Sequence, residues 1–182
     1  MARRRRTVIG VMGGAQVSPE VERMAEELGR QIALAGYCLL SGGRPKGVML
    51  ACSRGASNAS GLVIGVLPDA DPDCANEFVD ISIATHLADG RNLINILSSD
   101  VVIACPGGGG TLSEVGYAIR NRRPLVLLGM DAGPIGEEAI REGLAARAHD
   151  PTEAMEHVRR FLERLADLSW KRVSVQEGSL AD

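Results

Sequence analysis

A three-layer α/β/α sandwich on a mostly parallel sheet is predicted by three observations. Short, continuously apolar runs alternate along the chain with longer amphipathic ones. The apolar runs lack in-and-out alternation, as expected of strands covered on both faces. Several of them stop at glycines, of which the chain has 22, and this suits tight turns at strand ends. Composition agrees: 45% of the 182 residues are apolar but only 3% aromatic, which supplies one domain with an aliphatic core of Val, Ile, Leu and Ala.

Residues 7–14, TVIGVMGG, are β-branched and aliphatic, then stop at paired glycines; this reads as a buried strand and its turn. Ser18 caps the helix that follows and Pro19 takes its first position. Val21, Met24, Leu28 and Ile32 make its apolar stripe, and Gly36 stops it. Residues 37–43, YCLLSGG, form a second strand. Residues 45–58 form a second helix with Val48, Met49, Cys52 and Ala56 inward. Residues 61–68, GLVIGVLP, are a third strand, and residues 77–85 hold a short one. A helix from about Asp89 carries Leu93, Ile94 and Leu97 as its apolar face. Residues 100–110, DVVIACPGGGG, are the next strand and its loop. Thr111 opens a helix to Arg120, and residues 123–129 are another strand. Residues 130–143 read as loop and a short helix, and residues 144–150 as a short last strand. Asp150, Pro151 and Glu153 stand in cap order before a final helix with the stripe Ala154, Val158, Phe161 and Leu165. The succession predicts one Rossmann-like domain over residues 7–168, between a basic tail at 1–6 and a frayed tail at 169–182 that begins near Trp170.

The formal net charge of -3 gives no general attraction to nucleic acid, and the arginines at 3–6 read as a solvated tail. No run reaches the roughly 20 apolar residues of a membrane span. The apolar run at 8–12 is too short for a secretory segment, so a cytoplasmic protein is expected. Cys38, Cys52, Cys74 and Cys105 form no C-x-x-C pair and have no clustered histidine, which predicts buried reduced thiols and no metal. Asp69, Asp71 and Asp73 lack the long calcium-loop spacing and read as a solvated loop.

The stretch from Cys105 to Glu114, CPGGGGTLSE, carries the chemistry. Gly107, Gly108, Gly109 and Gly110 lie between a strand end and a helix start, where N–H groups lack partners and the helix dipole favours an anion. Glycines let the backbone come within hydrogen-bond reach of a phosphate, and Thr111 follows directly. No lysine follows as in the nucleoside triphosphate loop, so a single phosphate or small anion fits better. Thr111 and Glu114 are also spaced as a capping box, which would give Glu114 a purely structural use. Two further corners, Gly13–Gly14 and Ser41–Gly42–Gly43, end strands in the same way, and three such corners on one sheet edge predict a ligand crevice. None has the G-x-G-x-x-G spacing of dinucleotide binders.

PGGGGTLSE resembles the P-G-G-x-G-T-x-x-E motif of the family that contains the cytokinin-activating phosphoribohydrolases, whose bacterial members were long labelled lysine decarboxylases. SGGRPKGVM, GLVIGVLP and GRNLINILSSDVVIACPGG match its other segments, and the resemblance spans roughly residues 7–130. It implies cleavage of the N-glycosidic bond of a nucleoside 5'-monophosphate to free base and ribose 5-phosphate, with no metal and no cofactor. It implies dimers, with dimer and tetramer both open. It assigns Arg91 and Glu114 as the catalytic pair and Gly107, Gly108, Gly110 and Thr111 as the phosphate loop. Asn92 stands where the phosphoribohydrolases have lysine. In that respect the chain resembles a subgroup akin to molybdenum-cofactor carrier proteins, which share the fold and bind a phosphate-bearing pterin without turnover.

A phosphoribohydrolase is therefore the expected function, with a non-catalytic carrier or sensor of a phosphate-bearing ligand such as molybdenum cofactor as the alternative. In the first, Glu114 stabilises positive charge developing on the ribose and Arg91 pairs with phosphate or with Glu114. Gly13, Gly14, Ser41, Gly42, Gly43 and Asn92 are expected to line the ligand. Arg91 reads otherwise as a solvated helix-start residue and His86 as a turn histidine bonded to backbone. Lys46 lacks the context of a Schiff-base lysine; Asn76 and Asp80 are loop candidates for contact with base or sugar, and Asn58 and Arg44 for contact with the ligand or a neighbouring subunit.

Overall fold

A computed structural model describes the backbone of residues 5–178 and side chains through residue 167. Seven strands form one sheet, all pairs parallel: β1 (Val8–Met12), β2 (Cys38–Ser41), β3 (Val63–Leu67), β4 (Ile81–Ala84), β5 (Val101–Ala104), β6 (Leu125–Leu128) and β7 (Ala145–Ala148). Six helices join them: α1 (Pro19–Leu34), α2 (Gly47–Asn58), α3 (Arg91–Ser98), α4 (Gly109–Arg120), α5 (Gly133–Arg141) and α6 (Pro151–Gly178). The strand order is β4-β3-β2-β1-β5-β6-β7. The chain thus builds outward from β1 to one edge, then returns to β5 and builds to the other. The reversal between β1 and β5 opens a crevice at the carboxyl ends of those strands.

The period of two along each strand decides what each layer touches. Ile9, Val11, Leu39, Val101, Ile103, Val126 and Leu128 join Leu28, Ile32, Val48, Cys52, Val158 and Phe161 in the core under α1, α2 and α6. Met12, Leu40, Val66, Val102, Ala104, Leu125 and Leu127 join Ile96, Val115, Ala118 and Ala139 under α3, α4 and α5. This is the expected three-layer α/β/α sandwich.

Four details differ from the reading of the sequence. The rule that strands are covered on both faces fails at the β4 edge, where Ile81 and Ile83 are 46% and 43% exposed. α3 turns Asn92, Asn95 and Ile96 inward and leaves Leu97 46% exposed, so its buried stripe is partly polar. α4 begins at Gly109 rather than at Thr111. α6 continues to Gly178, past the expected start of a frayed tail, while residues 1–4 and 179–182 lie outside the described residues. Of the basic tail, Arg5 is tied to the body by an ion pair with Asp100.

Candidate functional site

The three glycine corners meet and are sewn together by backbone hydrogen bonds. Gly14 N donates to Pro106 O at 3.0 Å and Val48 N to Gly14 O at 3.0 Å, while Asn76 N, donating to Gly43 O at 2.8 Å, ties the second corner to the loop between β3 and β4. Gly47 holds a φ of +50°, and a Cβ there would fall on the Gly14 carbonyl. At Gly107 a Cβ would overlap Thr111 Oγ1 and approach Gly14 N to 2.7 Å. These glycines are demanded by the protein itself. Gly108, Gly109 and Gly110 are not. None has a positive φ, and a Cβ on any of them would meet no protein atom within 4 Å.

Beside them lies a cleft of about 210 Å³, at the β1/β5 reversal. Of the residues expected at the site, it brings together Gly13, Gly14, Gly42, Arg91, Asn92, Gly108, Gly110, Thr111 and Glu114. Ser41, Gly43, Gly107 and Gly109 do not line it. Ser41 is fully buried and its Oγ accepts from Gly43 N at 3.2 Å, a turn contact below the cleft. Gly43, at φ +68°, packs on Gly65. Gly109 is the first residue of α4, with its α-carbon facing open space.

Arg91 enters the cleft from the start of α3. A Cβ at Gly42 would fall on its guanidinium, so that glycine leaves room for the arginine and not only for a ligand. The solvated reading of Arg91 is thereby overturned: it is half-buried, and its buried Nε makes no hydrogen bond within the protein. Burial pulls its pKa below the usual arginine value, opposed by the negative charges of Glu114 and Asp89.

Glu114 is 6% exposed, one turn along α4 from the glycines. Its Oε1 accepts from Asn95 Nδ2 at 3.1 Å. The capping-box reading fails, because α4 starts at Gly109 with Gly108 as its N-cap and Thr111 already lies in the first turn. Burial pushes the Glu114 carboxyl up to about 7, against the Asn95 hydrogen bond and the Arg91 charge, which lower it. Asn92 donates through Nδ2 to Ser113 Oγ at 3.4 Å.

Asp89, Met49 and Asn95 were missed in the sequence. Asp89 and Met49 line the cleft, and Asn95 holds Glu114. A signal existed for Asn95: it stands four residues after Arg91, hence on the same helix face. The other loop residues are engaged elsewhere. Arg44 forms an ion pair with Asp69, Asn76 Nδ2 donates to Gly43 O at 3.0 Å, and Asp80 Oδ2 accepts from Val63 N at 2.8 Å. Asp71 Oδ1 accepts from Asp73 N at 2.9 Å. His86 sits in a turn at φ +53°, its N–H donating to Asp69 O. Cys38, Cys52 and Cys105 are buried free thiols, whereas Cys74 is only half-buried. Burial pushes Cys52 up to about 12 and Cys105 upward as well. Among the described residues no cluster of three or more His, Cys, Asp or Glu is placed to hold a metal ion, and no helix is long and apolar enough to cross a membrane.

A parallel sheet opened at its reversal by glycine corners, with a helix start and an arginine at the opening, has the character of a Rossmann-like domain for a nucleotide or other phosphate-bearing ligand. The chain belongs to the SLOG cluster4 family, whose model matches residues 6–158. It is similar to a molybdenum cofactor binding protein from Rippkaea orientalis, with 44% identity, 87% of this chain and 98% of that chain covered, and a TM-score of 0.81. The molybdenum cofactor carrier protein of Chlamydomonas reinhardtii is 40% identical, with 87% and 99% covered and a TM-score of 0.79. A cytokinin riboside 5'-monophosphate phosphoribohydrolase of Mycobacterium tuberculosis is 29% identical over 160 residues, 84% of this chain and 86% of that protein. Relatives of both kinds, carrier and hydrolase, thus match nearly the whole chain.

Proposed function

We propose that the protein is a carrier that binds a phosphate-bearing ligand of the molybdenum-cofactor type as cargo, without turning it over. The observation that carries this reading is the open face of Gly108, Gly109 and Gly110, three glycines that no contact or φ within the protein requires. Alanine would form this helix start at lower cost, so the absent side chains serve something that approaches from outside. First-turn N–H groups of α4 face that approach, and Arg91 offers a cation with an unused donor. These groups would hold the phosphate end. The cleft of about 210 Å³ is smaller than the roughly 300 Å³ at the low end of small-molecule sites, so the rest of the cargo extends beyond it.

One feature of the site favours a carrier over the phosphoribohydrolase reading. Asn92 stands where the hydrolases have lysine, and it is spent on Ser113. The higher identity to the two molybdenum cofactor proteins supports the same choice. The hydrolase reading keeps one observation in its favour: Arg91 and Glu114 do line one cleft. In that reading Glu114, in its ionised fraction, orients water or stabilises the ribosyl cation, and no metal takes part.

The same preparation tests both. Protein purified from a host that makes the cofactor is expected to carry molybdenum and oxidisable pterin fluorescence in near-stoichiometric amount. A panel of nucleoside monophosphates is expected to yield no free base by chromatography. Multiple-turnover base release that Glu114→Gln abolishes would establish the hydrolase instead. Neither binding nor release would remove both.

A further inference from the structure

Asn95 is a fully buried side chain on α3 whose two polar atoms are unequally used. Nδ2 donates to Glu114 Oε1 at 3.1 Å, while the buried Oδ1 makes no hydrogen bond within the protein. An amide offers one donor lobe and one acceptor lobe. An ionised carboxyl can use only the donor, whereas a protonated carboxyl presents an acceptor and an O–H and can use both. The protonated form of Glu114 is therefore the one state of this pair in which the buried amide oxygen has a use.

Glu114 also lines the same cleft as Gly108, Gly110 and Thr111. A carboxylate there faces any anion seated on the start of α4. Of the charged groups around it, Arg91 from α3 is attractive to both, and Asp89 from the preceding 3-10 turn lines the cleft and repels an anion there. Arg44 and Asp69 stand behind Arg91 and neutralise one another as an ion pair. The β1 corner contributes Met12, Gly13 and Gly14, which carry no charge. Protonating Glu114 is the available way to relieve its repulsion with a dianion.

We propose that Asn95 is a positioning residue that holds Glu114 in either protonation state, so that a doubly charged anion binds at the α4 cradle together with one proton taken up on Glu114. The inference rests on the anion-cradle reading above. The proton comes from water, bonds to a Glu114 carboxyl oxygen, and returns to water when the anion leaves. No other bond is made or broken. Binding is then tight at slightly acidic pH and released as pH rises.

Sulfate is the suitable probe, since it remains a dianion throughout the range where Glu114 titrates. Calorimetry in two buffers of different ionisation heat should show proton uptake on sulfate binding. Above the Glu114 midpoint the sulfate Kd should rise, approaching tenfold per pH unit for one linked proton. Glu114→Gln should bind sulfate with no proton uptake and little dependence on pH. In Asn95→Leu the ionised form loses one charge-assisted hydrogen bond and the acid loses two neutral ones, each about half as strong. Its Glu114 carboxyl, followed by carbon-13 NMR and identified by its loss in Glu114→Gln, should therefore titrate near its original midpoint, whereas a hold through Nδ2 alone would let the midpoint rise. Sulfate binding that is flat in pH, a pH dependence that survives Glu114→Gln, or a clearly raised Glu114 midpoint in a folded Asn95→Leu protein overturns this proposal alone. No sulfate binding at any pH overturns the cradle reading, and this proposal with it.

Discussion

Four consecutive glycines do two different jobs. A Cβ at Gly107 would press on Thr111 and Gly14, so Gly107→Ala should destabilise the fold by about 1–3 kcal/mol, as overpacking does. A Cβ at Gly110 meets nothing, so Gly110→Ala should keep or raise the melting temperature while weakening sulfate or ligand binding at least tenfold. Thermal melting and calorimetry on the two variants check the contrast; equal stability losses would mean that packing explains both glycines. Glu114 gives a second residue-scale prediction. Its folded pKa is raised from 4.5 to about 7, so the folded state binds the proton more tightly than the unfolded chain does. The associated stability is fully present below pH 4.5 and is lost as pH rises to about 7, an effect of about 3 kcal/mol. Glu114→Gln should flatten that slope and be the more stable protein at pH 8, with little difference at pH 4. Urea unfolding at the two pH values is the measurement.

At the scale of elements, two small residues fix how α1 and α2 cross. A Cβ at Gly29 would fall on the Cys52 carbonyl, and one at Gly55 on the Glu26 carbonyl. Backbone meets backbone there and no side chain can yield. Gly55→Ala should therefore cost about 3 kcal/mol in chemical denaturation, although alanine is the better helix former; a neutral or stabilising result would show that the helices can slide apart. α3 shows the opposite case. Its periodicity offers Leu93, Ile94 and Leu97, yet the helix is rotated so that Asn92 and Asn95 turn inward with Ile96. The hydrogen bonds to Ser113 and Glu114 satisfy those amides, and the rotation carries Arg91 to Gly42.

For the whole molecule, the cleft lies where the sheet reverses between β1 and β5, and every group that lines it comes from the carboxyl-end side of that reversal. The rotation of α3 leaves Leu97 outside, and Leu112 in the first turn of α4 is about equally exposed. Self-association through this α3/α4 surface is the expected outcome. Light scattering at micromolar concentration should give at least twice the 19.2 kDa of one chain, and charge placed at Leu97 and Leu112 together should return the monomer. A wild-type monomer at high concentration would refute it.

The sequence by itself determined the alternation of strands and helices, the three glycine corners and the presence of Glu114 beside them. Those signals are local: a β-branched run, a cap such as Ser18, a glycine at a strand end. Tertiary structure decided what each side chain faces. Whether Gly42 makes room for a ligand or for Arg91 depends on two segments far apart in the chain. Whether Glu114 caps its own helix or turns to Asn95 depends on where α4 begins and how α3 is rotated against it. The exposure of β4 depends on its place at the sheet edge, which no property of ISIA announces. Periodicity reports which residues share a face, but the direction of that face is set only when the layers pack and each buried polar group must find a partner.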